Sequence, residues 1–274
     1  MANEKTRRFL KEEFYGWRCN ETVLGRYLNC CRDSVMDNEH FKKFKKNASY
    51  TPILEHVTKD QSNEYLQNIL DQTPELAYEI EDKFSINDSI GGPTIMKYTL
   101  PNGQSLESSP TTIRYVKVLS DLMKLFGDLG GLKIVEIGGG YGGLATVIKQ
   151  QFSFDHYYDV DLKWPGNLAK KYTSTLDIKN FTSITPGNLD KIGDVDLVIS
   201  NYAFSECNLE TREEYIDKIL SKAKMGYITH NGDQQRRDET KSIIENYNGF
   251  EIYGYDGAKK HPIFIWNKTE EAKK

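Results

Sequence analysis

The chain has 274 residues, 38% of them hydrophobic, with a formal charge of −4 at pH 7 and a pI near 5.8. That is enough apolar material for one large core or two small ones, and the acidic balance argues against a general nucleic-acid binder, which needs a basic face or stripe. No apolar run approaches the about 20 residues that cross a bilayer, and Met1-Ala2-Asn3-Glu4-Lys5 leads into charge rather than an apolar signal core, so a soluble cytoplasmic protein without a membrane span is expected.

Residues 1–107 read as a mostly helical cap or lid. Helical patterns cover Thr6 to Tyr15, Glu21 to Met36 and Asn63 to Leu70, and Pro74 opens another short helix. Gly91-Gly92-Pro93 is a break, and the stretch from Asn87 to Ser108 is expected as a loop. Cys19, Cys30, Cys31 and Cys207 form no C-x-x-C pair and no metal spacing, which fits reduced structural thiols.

From residue 108 the pattern changes to alternating strands and helices. Ser109-Pro110 is a helix start, a hydroxyl cap with proline at the first helical position. Ile113, Val116, Leu119, Met123 and Phe126 then share a face, and Gly127 ends the helix. Leu132 to Ile137 is a buried strand that runs straight into Gly138-Gly139-Gly140-Tyr141-Gly142-Gly143 and a helix from Leu144. This strand–glycine turn–helix layout aims backbone N–H groups at a ligand beside a helix N-terminus. Further strands are expected at His156–Val160, Phe181–Thr185, Val195–Ser200, Gly226–Thr229, Phe250–Tyr255 and Ile263–Trp266. Helices are expected over Pro165–Leu176, from a capping box at Thr211-Arg212-Glu213-Glu214 to Ala223, and over Gln234–Asn246.

Two ligand classes share the glycine pattern. Gly138, Gly140 and Gly143 fit the dinucleotide fingerprint; Glu136, Gly138, Gly140 and Gly142 equally fit the E-x-G-x-G-x-G pattern of S-adenosylmethionine-dependent methyltransferases. The end of the chain separates them. Between the last two strands lies only a short loop, Asp256 to Pro262, too short for a parallel crossover, so the last strand should run antiparallel. A seven-stranded α/β, Rossmann-like sheet with an antiparallel last strand is the methyltransferase arrangement, and it is expected over 108–274. An oxidoreductase stands behind it.

Three segments resemble one family closely: Ser109-Pro110-Thr111-Thr112-Ile113-Arg114-Tyr115, Ile134 to Gly143, and Ile199-Ser200-Asn201-Tyr202-Ala203-Phe204-Ser205-Glu206. They are similar to the sugar O-methyltransferases of bacterial surface-polysaccharide gene sets and their viral relatives. The resemblance covers residues 87–231, and Asp161-Leu162 agrees more loosely, because Lys163-Trp164 stand before Pro165 where such proteins often run Asp-Leu-Pro. It implies S-adenosyl-L-methionine as donor and a sugar hydroxyl, nucleotide-linked or glycan-borne, as acceptor.

On that reading Gly138, Gly139, Gly140, Tyr141 and Gly142 approach the donor and Glu136 orients its amino-acid end. Asp161, with Leu162, takes the ribose hydroxyls, and Asn188 and Asn201 are further contacts, although Asn188 fits a turn equally well. A general base for the hydroxyl is expected at the carboxyl ends of the strands. Glu206 is favoured by the resemblance and His230 by its titration range, with His261 third. Arg114, Tyr115, Tyr202 and His261 are candidates for the substrate side, and Tyr141 offers a further flat face for a sugar ring. His40, His56 and His156 read as structural. No cluster has metal-ligand spacing, although a magnesium-assisted variant would set Asp161 or Glu206 beside Asp233. N-methylation of an amino-sugar or small amine and non-catalytic cofactor binding are the alternatives, and a homodimer through the N-terminal helices is expected.

Overall fold

The computed structural model describes residues 21–247, 249–256 and 260–269; the helix expected over Thr6–Tyr15 lies outside them. Helix α1 (Glu21–Met36) turns Leu24, Tyr27, Leu28 and Cys31 inward at helical spacing. Helix α2 (Lys59–Gln72) opens on a capping box between Thr58 and Gln61 and buries Tyr65, Leu66 and Ile69. Helix α3 (Pro74–Glu79) follows at once. The stretch from Asn87 to Ser108 is not the plain loop expected: it holds a hairpin of β1 (Met96–Thr99) and β2 (Ser105–Ser108). The turn residues Asn102-Gly103 signal it, with Gly103 at φ 83°.

Ser109 Oγ accepts from the Thr112 N–H (3.1 Å) and opens α4 (Pro110–Phe126), which Gly127 ends. The main sheet then assembles from β3 (Lys133–Ile137), α5 (Gly143–Gln151), β4 (His156–Val160), α6 (Lys163–Thr175), β5 (Phe181–Ile184), β6 (Leu197–Asn201), α7 (Leu209–Tyr215), β7 (Met225–Thr229), α8 (Gln234–Ile244), β8 (Glu251–Asp256) and β9 (His261–Asn267). Strand order is β5-β4-β3-β6-β7-β9-β8. The first five strands are parallel, and β9 is antiparallel to both its neighbours, as the short final connection requires.

Two local expectations change. Helix α6 starts directly after Leu162, so Lys163 and Trp164 form its first turn and Pro165 sits where its missing N–H leaves no bond unmade. The cap of α7 is Asn208, whose side chain accepts from the Thr211 N–H (2.9 Å), and Thr211 is buried one turn inside rather than capping.

Alternation along the strands gives each face of the sheet its own core. Ile134, Tyr157, Leu197, Ile199 and Tyr227 pack in one continuous cluster with α1, α2, α4, α5 and α6. Val135, Val160, Val198, Ile228 and Trp266 face α7 and the turn after it on the other side. The N-terminal helices therefore share a core with the sheet.

A polar knot fastens them further. Asn87 donates from Nδ2 to Thr112 Oγ1 (2.8 Å) and Tyr141 Oη (3.1 Å). Its carbonyl accepts from Tyr172 Oη (2.7 Å) and Lys45 Nζ (2.5 Å). The Lys45 ammonium lies 4.2 Å from the Tyr141 ring centroid and 5.0 Å from that of Tyr172, a cation–π arrangement that offsets part of its burial. Burial still lowers the Lys45 pKa to about 8.

Gly226 in β7 lies against the face of Trp266; a Cβ there would come within 2.2 Å of the indole. Gly226→Ala should therefore destabilise the fold by about 1–3 kcal/mol through overpacking, read as a lowered urea midpoint. An unchanged midpoint would show that the Trp266 contact yields freely.

Candidate active site

A cavity of about 480 Å³ opens at the carboxyl ends of β3, β4, β6 and β7, the end at which such sheets take ligands, and its size suits a small molecule. Its lining includes Gly138, Gly140 and Asp161 from the ends of β3 and β4, Asn201, Tyr202, Ala203 and Glu206 from the end of β6, and Asn231 and His261. Further lining comes from the N-terminal helices: Leu24 and Tyr27 of α1, the turn from Pro52 to Leu54 with His56 and Val57, and Gln61 and Tyr65 of α2. Arg114 reaches in from α4.

The glycine turn is shaped by what packs on it. Gly138 has φ 78°, and a Cβ on it would lie 2.1 Å from Ala203 Cβ. Gly140 has φ 64°, and a Cβ there would strike Leu54 Cδ1 at 2.6 Å. Only glycine meets both demands at either position. Carboxylates hold the turn from beneath. Asp159 Oδ1 accepts from the Gly139 N–H (3.1 Å), and Asp161 accepts from the Gly140 N–H (3.0 Å) and the Leu162 N–H (2.6 Å). Glu136 Oε2 accepts from Tyr157 Oη (2.7 Å). Burial raises the Glu136 pKa to about 7, and raises those of Asp159 and Asp161. Three carboxyls this close and this dry do not all ionise together.

The residues marked by the sequence divide accordingly. Gly138, Gly140, Asp161, Asn201, Tyr202, Glu206, Arg114 and His261 line one cavity. Glu136 is buried and braces the strand end rather than facing the cavity. The Leu162 side chain is core, and Gly139 and Gly142 form the turn without lining the cavity. Tyr141 points away from it, wedged edge-on between Phe44, Tyr115 and Tyr172, and Tyr115 is buried against it at 6.0 Å. Asn188 makes a turn, bonding Thr185 Oγ1 (2.8 Å), and is exposed there. Asp233 caps α8 through the Arg236 N–H (2.9 Å), outside the cavity lining. Among the described residues no group of three His, Cys, Asp or Glu side chains could hold a metal ion.

His230 and Glu206 part ways. His230 is fully buried beneath the site, its Nδ1 accepting from the Gly232 N–H (3.1 Å) and its Nε2 3.1 Å from Thr240 Oγ1. Burial, together with Arg212, Arg237 and Arg236, depresses its pKa to about 4. Glu206 ends the single helical turn Ala203–Glu206 and faces the cavity, with Oε1 accepting from Asn231 Nδ2 (3.0 Å). Burial raises its pKa.

Tyr202 is the strained residue here, with φ 73° and ψ −37°, a conformation costly for a side chain with a Cβ and frequent at functional sites. Its N–H donates to the Thr229 carbonyl (3.0 Å), its carbonyl accepts from Ser205 Oγ (2.6 Å), and its phenol donates to Asp256. Sequence reasoning missed Asn231 and the N-terminal wall. His56, which reads as structural from its surroundings in the chain, lines the cavity; burial and the Arg114 charge lower its pKa.

No family model matches the chain, and no curated protein matches it. Solved structures with a similar fold include an rRNA methylase from Streptococcus thermophilus (18% identity, 50% of this chain and 86% of that one, TM-score 0.39). A SAM-dependent methyltransferase from Aquifex aeolicus is 19% identical over 55% of this chain and 86% of its own, with a TM-score of 0.39. Magnesium protoporphyrin IX methyltransferase from Synechocystis, solved with bound SAH, is 19% identical over 56% and 80%, with a TM-score of 0.42. The strand order and the antiparallel β9 themselves make the fold the Rossmann-like sheet of the methyltransferases. No helix among the described residues is long and apolar enough to cross a membrane.

The buried His230 has a sign that can be checked. Its folded pKa lies below the ordinary value, so the unfolded chain takes up a proton first and the fold loses stability as pH falls from about 6.5 toward about 4. Urea unfolding at pH 7 and pH 4.5 should show that His230→Gln loses less stability across that interval than the parent. Equal losses would assign the acid sensitivity to other groups.

Proposed function

We propose that the protein transfers a methyl group from S-adenosyl-L-methionine to a sugar hydroxyl. The observation that carries this reading is one cavity lined both by the glycine turn with Asp161 and by a half-buried carboxylate, Glu206.

The chain's own atoms suit such a donor. The bare Cα atoms of Gly138 and Gly140 allow close approach, and Asp161, at the end of β4, keeps lone pairs for ribose hydroxyls beyond the two amides it already accepts from. Asn201 lines the cavity with its Oδ1 accepting from Thr229 Oγ1 (3.3 Å), and its amide lies close enough to Glu136 to favour that carboxylate. Arg114 is buried and has no carboxylate within salt-bridge reach among the described residues, which suits a carboxylate or phosphate on donor or acceptor.

The donor, when bound, supplies a methyl group already activated on a sulfonium. The protein's share is then alignment, exclusion of water and management of one proton. Glu206 takes the proton of the acceptor hydroxyl as that oxygen attacks, and its raised pKa brings it nearer the working range of a base. Asn231 fixes one oxygen of that carboxylate, and Glu206 lines the cavity. Tyr27, Tyr65 and Tyr202 are aromatic residues of the lining that suit a sugar ring, and the N-terminal segments that line the cavity, between Leu24 and Tyr65, help keep water out. His230, with both ring nitrogens engaged, is a structural residue in this scheme.

Calorimetry should show S-adenosylmethionine binding and no binding of NAD; the reverse would end this reading. With radiolabelled donor, transfer should reach nucleotide-linked or oligomeric sugars in preference to amino-sugars offered as the amine control. Glu206→Gln should lower turnover by about 10²-fold while donor affinity holds. Donor binding without transfer to any acceptor would indicate a binding protein on this scaffold.

A further inference from the structure

Behind Tyr202 lies a buried polar network that the scheme above does not use. Asp256, at the end of β8, accepts from the phenols of Tyr202 and Tyr65, the latter at 3.3 Å. Lys117 stands 3.6 Å from the same carboxylate and 2.8 Å from Asp121. Asp121 in turn accepts from Tyr227 Oη (2.6 Å) and Gln72 Nε2 (3.2 Å). All three charged residues are nearly or wholly buried. A core that needed only packing would do as well with apolar side chains, because buried ion pairs rarely gain over well-packed hydrocarbon.

Four elements meet at this carboxylate: the lid helix α2 through Tyr65, α4 through Lys117, the strained turn after β6 through Tyr202, and β8 itself. Both phenols that bond it also line the cavity. Burial and the Asp256 charge hold the Tyr202 phenol well above the ordinary tyrosine range, so it stays protonated and keeps donating. With that proton spent on Asp256, the phenol oxygen, which also lies beside the Tyr65 hydroxyl, keeps a lone pair with which to accept from a hydroxyl in the cavity.

We propose that Asp256, anchored by Lys117, is a positioning residue of the active site: it fixes Tyr202 so that the Tyr202 oxygen accepts from and orients the acceptor, and it ties that setting to closure of the lid through Tyr65. The proposal rests on the methyl-transfer reading. It names a residue distant in sequence from every motif, and it makes α2 part of the site rather than a cover.

The test begins with S-adenosylhomocysteine as the probe and 3-fluorotyrosine in place of Tyr202, followed by fluorine NMR. The resonance should shift on adding the probe and should shift again in Asp256→Asn. Calorimetry on the same samples separates two failures. If S-adenosylhomocysteine does not bind, the methyl-transfer reading falls, and this proposal with it. If it binds and the position 202 resonance ignores both the probe and Asp256→Asn, this proposal alone falls.

On the first acceptor sugar that the parent protein turns over, Asp256→Asn and Tyr202→Phe should each lower kcat by about 10²-fold with KM for the donor unchanged. The double variant should be no slower than Tyr202→Phe, because the first residue acts through the second. Losses that multiply, or a kcat unaffected by Asp256→Asn, overturn the proposal. Lys117→Met combined with Asp121→Asn and Asp256→Asn removes all three buried charges together; it should fold, bind the probe and show the same kcat defect. Full kcat in that variant would equally overturn it.

Discussion

The architecture depends on one docking contact, the grip of Asn87 and Lys45 on the outer side of the glycine turn. Tyr141 belongs to the turn by sequence, yet its ring is held among Phe44, Tyr115 and Tyr172 and its hydroxyl accepts from Asn87. The turn is thus fixed from behind by the N-terminal region and from beneath by Asp159 and Asp161. Together with the shared apolar core, this grip holds the wall formed by Pro52 to Val57 over Gly140. Cavity and docking are one feature seen from two sides.

The carboxylates under the turn extend this logic. Glu136, Asp159 and Asp161 brace backbone N–H groups or a phenol, which lets a ligand-facing loop be rigid without bulky side chains of its own. Such bracing concentrates negative charge in a dry place, and the raised pKa values are its electrostatic cost. A positively charged sulfonium would be welcome beside them in a way that a pyrophosphate would not.

Much of this was readable from local chemistry. The Ser109 cap, the glycine turn, the alternation of strands and helices and the antiparallel β9 each follow from residues close together in the chain, and they appear where that chemistry puts them. What stayed hidden was set by distant partners. His230 has the titration range of a base, but Thr240 and Gly232 occupy its nitrogens. Tyr141 sits inside a ligand motif, but the aromatic cluster that turns it away comes from Phe44 and Tyr172. His56 and Tyr65 acquire a site only because the helices carrying them fold over the sheet. The β1–β2 hairpin is a different case, since Asn102-Gly103 announced it locally and only the brevity of its strands concealed it.

The placement of β9 bears on the order in which the molecule can be assembled. β8 precedes it in the chain but has no other neighbour in the sheet, so β8 waits for a strand made after it. Asp256 and His261 sit at the two ends of that late connection. Pairings between strands far apart in sequence form slowly, because chain entropy must be surrendered before contacts repay it. A ribosome-bound intermediate could therefore complete the parallel half of the sheet, with the glycine turn and Glu206 in place, before His261 joins the cavity lining.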